Sequence, residues 1–171
     1  MNDTKSASTP DLLEQLKGSD FPKIIGAAGE LASRKEVSAV PLILEILRTT
    51  KDASVRNATA LAISDLKHPS GFNVLVALLK DDRTRENRGT LLYAIGAYDC
   101  SPILQLLVDF VIDGNFEVSR QAHSLISGIE TEIDEQTWQS CTDRLRSALA
   151  AASEERRPIL VELLSLFEQE P

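Results

Sequence analysis

The sequence predicts an all-α protein, an α-solenoid of about four antiparallel helix pairs with terminal capping helices. Three observations carry that prediction. First, a segment recurs: shifted by 32 positions, Arg56, Ile63, Ser64 and Leu66 fall on Arg88, Ile95, Gly96 and Tyr98. Shifted by 63, Val55, Thr59, Ile63, Ser64 and Leu66 fall on Val118, Ala122, Ile126, Ser127 and Ile129. A period of about 30 residues is the mark of a repeat protein, in which each unit is too small to hide its own apolar face. Second, apolar residues recur at helical spacing, and no useful length of chain alternates with the period of two that a strand needs. Third, the stretches between them are short and rich in Gly, Pro, Asp and Asn, so successive helices must lie antiparallel as neighbours.

Taken in order, residues 1–9 read as a disordered lead-in and residues 10–171 as a single repeat domain. Pro10 to Gly18 is a short helix with Leu12, Leu13 and Leu16 on one face, stopped by its glycine, and it caps the stack. Asp20 can N-cap a second helix through Ser33, with Ile24, Ala27, Ala28 and Leu31 at helical spacing. Glu36 to Thr49 is its partner; Pro41 near its start costs little, because first-turn amides have no intrahelical acceptor to lose. In the second pair, Ser54 to Leu66 offers Val55, Ala58, Leu61, Ala62 and Leu66 as its buried face, and Phe72 to Lys80 offers Val74, Leu75, Leu78 and Leu79. The third pair starts after Asp81-Asp82, turns at Asp99 to Pro102 and returns over Ile103 to Ile112. The fourth runs from Glu117 to Ile129, crosses the acidic loop Glu130 to Asp134, and returns over Glu135 to Ala152 with Trp138, Cys141, Leu145 and Leu149 in register. A last helix, about 154–169, buries Leu160, Leu163, Leu164 and Phe167 and keeps an acidic outer side, as a terminal cap needs.

Val55 to Leu66 (VRNATALAISDL) resembles the first helix of the short HEAT repeat of the phycobilisome-lyase type, whose pattern runs Asp, Val-Arg, small residues, Leu-Gly and then an apolar residue. Ile95-Gly96 keeps the Leu-Gly step and Arg88 keeps the arginine; Phe21 and Ser119 stand where the first and fourth pairs would carry it. The resemblance covers roughly residues 20 to 150. It implies an inter-repeat Asp-to-Arg ladder confined to Asp52, Arg56, Asp82 and Arg88, with a structural role. For some relatives it also implies lyase or chaperone chemistry on a tetrapyrrole (bilin).

Bulk properties limit the rest. The chain has 171 residues, 43% hydrophobic and 26% charged, enough for a real core. No apolar run approaches the ~18 residues of a membrane span and no export signal is legible, so a cytoplasmic address is expected. The formal charge of -8 is uneven: twelve Lys and Arg oppose eleven Asp and Glu in residues 1–85 (+1), but six oppose fifteen in residues 86–171 (-9). An acidic half favours a basic protein partner and argues against nucleic acid, whose affinity comes from cations that neutralise phosphates. Arg83, Arg85 and Arg88 form the one basic patch in the sequence, and Asp81, Asp82 and Glu86 interleave with it.

Searching for chemistry leaves no catalytic residues, no metal ligands and no cofactor site to name. Cys100 and Cys141 have no CxxC spacing, His68 and His123 have no partner at ligand spacing, and the acids at 130, 132, 134 and 135 follow no ligand-loop order. The expectation is a protein without enzymatic activity.

Recognition should then fall on the second helices, which line the concave side of a stack of helix pairs. Aligned by their apolar positions, they put Pro41, Asn73 and Gln105 in one row, Glu45, Ala77 and Asp109 in the next, and Arg48 and Lys80 one turn further. With Asp113 beyond the end of the third, the candidate partner-binding residues are Glu45, Arg48, Asn73, Lys80, Gln105, Asp109 and Asp113. A mixed hydrogen-bonding row suits a folded protein or a peptide. The size and acidity of the chain also resemble bacterial stand-alone solenoids that neutralise a basic toxin domain, an immunity-type role. The alternatives are a bilin lyase or chaperone and, least favoured by the charge, a nucleic-acid binder.

Overall fold

The computed structural model describes residues 7–168, and among these it is all-α, with ten α-helices, three short 3-10 turns and no strand. The helices are α1 (Thr9–Leu16), α2 (Phe21–Ser33), α3 (Val40–Thr49), α4 (Ala53–Leu66), α5 (Ser70–Lys80), α6 (Arg88–Ile95), α7 (Leu104–Asp113), α8 (Phe116–Ser127), α9 (Glu135–Ala150) and α10 (Arg157–Glu168). The chain divides into two compact units, one ending at Tyr98 and the other beginning at Asp99. Of the lead-in expected over 1–9, residues 1–6 lie outside the described residues. Ser8 and Thr9 belong to the fold, because Ser8 is the N-cap of α1 in a reciprocal capping box with Asp11.

Helix starts are capped by side chains, at Asp20 as the sequence predicts and at three further positions. Asp20, Asp52, Asn115 and Asp134 each accept the backbone N–H three residues on, at 3.4, 2.9, 2.9 and 2.9 Å. The ends are more varied. Lys35 and Lys67, one repeat apart, both take the left-handed backbone conformation (φ 55° and 48°) after α2 and α4. Lys35 also donates from Nζ to the Asp65 carbonyl oxygen at 2.6 Å, tying the end of one first helix to the end of the next.

In the first unit α4 is the centre. It packs against α2 on one side and α6 on the other, while α3 and α5 lie beside each other in a second layer. This is the stacking of helix pairs that an α-solenoid requires, with α1 laid on α2 as a cap. Leu31, Ile43, Leu47, Ile63, Leu75, Leu79, Leu91, Leu92 and Ile95 are shut away completely. Tyr98, just after α6, ties that end of the chain to α4 and the turn beyond it, sharing its hydroxyl proton between the carbonyls of Ile63 (3.0 Å) and His68 (3.1 Å). The chain can pass there only because residue 71 is glycine: a Cβ would lie 2.8 Å from Ile63 Cγ1 and would also meet the Tyr98 hydroxyl.

The face expected for α4 needs correcting. Ala58 and Leu66 are only half-buried and Leu61 is 37% exposed, whereas Val55, Thr59, Ala60, Ala62 and Ile63 are buried. A helix enclosed by neighbours on both sides buries most of its circumference, including polar groups, so a single apolar stripe does not describe it. Buried Thr59 is satisfied locally, its hydroxyl donating to the Val55 carbonyl at 2.8 Å. Of the ladder expected from the repeat pattern, Asp52 caps α4, and the charge of Arg56, 6% exposed, acts on Asp81. Hydrogen bonds from Arg83 hold the Asp81 carboxyl below the ordinary aspartate range, and the charges of Arg83 and Arg56 add to this. Residues 83–87, expected to open the third first helix, lie in a 3-10 turn over Asp82–Asn87 instead, and α6 starts only at Arg88.

In the second unit α7 packs on α8 and α9, and α10 closes over α9, α7 and α8. Ser119 of α8 occupies the position that Arg56 holds in α4, and the room it leaves is used from elsewhere in the chain. Arg156, just before α10, donates from Nη1 to Ser119 Oγ at 3.1 Å and from Nη2 to the carbonyl of Ile112 in the last turn of α7. Trp138, whose role the sequence left open, is packed. Its ring stacks on Phe167 at 4.2 Å and its Nε1 donates to the Phe167 carbonyl at 3.2 Å.

Candidate functional site

The candidate surface is built by the outer faces of the second helices. In α3 the apolar Val40, Ile43, Leu44 and Leu47 turn inward, which leaves Pro41, Glu45 and Arg48 exposed in one line at i, i+4 and i+7. In α5 the buried Val74, Leu75, Leu78 and Leu79 leave Asn73, Ala77 and Lys80 exposed at the same spacing. Because α3 and α5 are neighbours, the structure brings Glu45 and Arg48 onto a helix beside the one that carries Asn73 and Lys80. The four side chains supply one acid, two cations and one amide. None of the four is engaged in a side-chain hydrogen bond or an ion pair among the described residues.

In the second unit Gln105 and Asp113 of α7 are exposed, but Asp109 is engaged. Its carboxylate pairs with Arg144 of the neighbouring α9. The two helices frame a shallow groove of about 360 Å³ in which Asp109, Asp113, Asp143, Arg144 and Ser147 present their polar groups. Arg144, Asp143 and Ser147 were missed in the sequence reading, although a signal was present. With Trp138, Cys141, Leu145 and Leu149 facing inward, positions 143, 144 and 147 fall on the outer side of α9.

The remaining chemical groups are tied up structurally. Burial, with the nearby charges of Asp99 and Asp134 adding to it, pushes the thiols of Cys100 and Cys141 up to about 11, so both stay protonated near neutrality. The His68 ring nitrogen Nδ1 accepts the Ser70 N–H at 3.3 Å within its turn. His123 Nε2 lies 3.8 Å from Glu162, which also meets Arg120 at 3.4 Å. In the basic patch Arg83 closes on Asp81 at 2.6 Å. The acids of the 130–135 loop do not converge with other side chains into a metal-holding group among the described residues. Asp134 caps α9, and hydrogen bonds from the Thr137 side chain and backbone keep its carboxyl below the usual range. No helix of the described residues is long and apolar enough to cross a membrane.

The sequence pattern of HEAT repeats matches residues 9–96, just over half of the 171-residue chain. No curated protein matches it. The matched segment spans the stacked pairs α2–α3 and α4–α5 with their flanking α1 and α6, the part in which the two-layer order is plainest. The chain belongs to the HEAT-repeat family.

Proposed function

We propose that this protein is a non-catalytic interaction module that grips a protein partner through the polar faces of its second helices, the side that is concave in a stack of helix pairs. HEAT repeats are commonly protein-interaction modules, which supports the general reading. The observation that carries the specific one is the matched pair of exposed stripes on α3 and α5. Glu45, Arg48, Asn73 and Lys80 stand ready to bond and spend nothing on holding the fold. In the second unit, Gln105 and Asp113 are exposed on α7 as well, and Asp109 contributes through its pair with Arg144. The partner we propose is basic, in keeping with the net charge of -9 over residues 86–171 and with the pairing of Arg83 to Asp81, which weakens the one basic patch as a phosphate-binding surface. An immunity-type role against a basic toxin domain is the narrowest form of this reading, with a place in the cytosol. The protonated, buried thiols favour it over bilin lyase chemistry, for which they offer no nucleophile.

The test is affinity capture from the native host with the wild-type chain and two charge-altered forms. One carries Glu45→Arg, Arg48→Glu and Lys80→Glu; the other carries Gln105→Arg and Asp113→Arg, leaving the Asp109 pair intact. A basic protein retained by the wild type, released steeply by salt and lost from at least one altered form is the expected result. Equal retention by both altered forms refutes the second-helix site. A partner whose binding ignores salt refutes electrostatic steering.

A further inference from the structure

The second unit contains a cavity of about 710 Å³ that shares no lining residue with the Asp109–Arg144 groove. Its walls come from α7, α8, α9, α10 and the loop between α8 and α9: Leu104, Ile126, Trp138, Leu166 and Phe167 from the helices, and Ile129 and Ile133 from the loop. Glu132, Asp134 and Glu135 stand on its rim and are all exposed. No Lys or Arg is among the described residues that line it, and none occurs in the sequence from 121 to 143, where five acids do. Glu132 and Glu135 form no ion pair among the described residues. The loop is held in place rather than free, since Thr131 donates its hydroxyl to Asp99 at 3.1 Å and Asp134 caps α9. A volume of this size lies within the usual range for ligand sites, roughly 300–1,000 Å³.

We infer that this cavity is a docking site for a cationic peptide segment of a partner, which places one or two bulky apolar side chains inside while flanking Lys or Arg residues meet the acidic rim. Charge complementarity selects that occupant. An apolar interior alone would accept any greasy group, but an uncompensated acidic rim repels anionic ones and attracts cations. The number of acids favours a chain over a small amphiphile. Glu132, Asp134 and Glu135 on the rim can meet more than one cation, which a peptide with Lys or Arg on both sides of its apolar residues supplies and a one-headed amphiphile does not. None of the residues that line the cavity belongs to the second-helix stripes, and its test does not depend on them.

Trp138 is the sole tryptophan of the chain and lines the cavity, so its emission under tryptophan-selective excitation reports occupancy directly. The full-length protein is titrated with three capped hexapeptides, KKLFKK, DDLFDD and KKSSKK, and with decyltrimethylammonium. The inference expects a saturable change with KKLFKK that weakens as salt rises, and little response to the other three. It also expects about a tenfold or greater loss of KKLFKK affinity in a form carrying Glu132→Lys and Glu135→Gln, with helicity unchanged. No saturable change with KKLFKK overturns the inference, as does equal binding of DDLFDD or KKSSKK. Binding of decyltrimethylammonium in preference to KKLFKK assigns the cavity to a small amphiphile and likewise overturns it.

Discussion

Replacing Arg156 by Ala tests the account of the second unit most directly. Its guanidinium makes two hydrogen bonds across 37 and 44 residues of sequence, to Ser119 Oγ and to the Ile112 carbonyl. The Ser119 hydroxyl still donates to the carbonyl of Gly114 (3.1 Å) or Phe110 (3.2 Å) and loses only a bond that it accepts, so that loss costs little. The Ile112 carbonyl belongs to the last turn of α7, where no intrahelical donor remains, and it loses a charged partner. Hydrogen bonds to charged groups contribute about 1.5–3 kcal/mol, and the expected loss is therefore about 2 kcal/mol. Urea unfolding followed by circular dichroism measures it as a lower midpoint at unchanged slope. Arg157→Ala, at the exposed neighbouring position, is the control and should stay within about 0.5 kcal/mol. If Arg156→Ala and Arg157→Ala are indistinguishable, the guanidinium does not hold α7, and the idea that it fills the space left by Ser119 is wrong.

Four further outcomes follow from the same structure. Ile63→Ala, at a fully buried position, should cost about 2–5 kcal/mol, while Leu61→Ala, two residues away and 37% exposed, should cost much less; a thermal melt of both separates them. Gly71→Ala should destabilise the first unit by about 1–3 kcal/mol, because the new methyl meets Ile63 and the Tyr98 hydroxyl; unfolding in urea reads the loss, and an unchanged midpoint would show that the contact relaxes freely. Asp52→Ala should cost about 0.5–2 kcal/mol through the lost α4 cap, and Asp52→Asn should restore most of it, whereas equal loss in both would mean that charge rather than capping matters. The carboxyls of Asp11, Asp20, Asp81, Asp99 and Asp134 are all held below the ordinary value of 3.8 by hydrogen bonds in the folded state. Their contribution is therefore complete above that value and is lost as the pH falls through the lower folded values; the stability that they supply, measured in urea, should decline in that acidic window.

The helices, their order and the Asp20 cap could be read from the sequence because they depend on neighbours within a few positions. Asp20 and the 3-4 spacing of apolar residues in α3, α5 and α9 needed no knowledge of the rest of the chain. The exposed stripes followed from the same spacing, since fixing which face of α3 is apolar also fixes that Glu45 and Arg48 point away from it. Where one helix is enclosed by others, the reading failed. The phase of α4 was set by α2 and α6 together, which is why Leu61 is exposed and Thr59 buried.

Composition and periodicity thus determined on their own that the chain is an all-α repeat protein with an acidic second half. Tertiary packing alone decided which distant groups meet: Asp109 with Arg144, Arg156 with the end of α7, and the acidic loop with the apolar cavity that its isoleucines share with Trp138. The physical reason is one of range. A helix needs only the hydrogen bonds and spacing of its own residues, whereas a partner 30 or 40 positions away is chosen by the rotation and height at which two finished helices come to rest against each other.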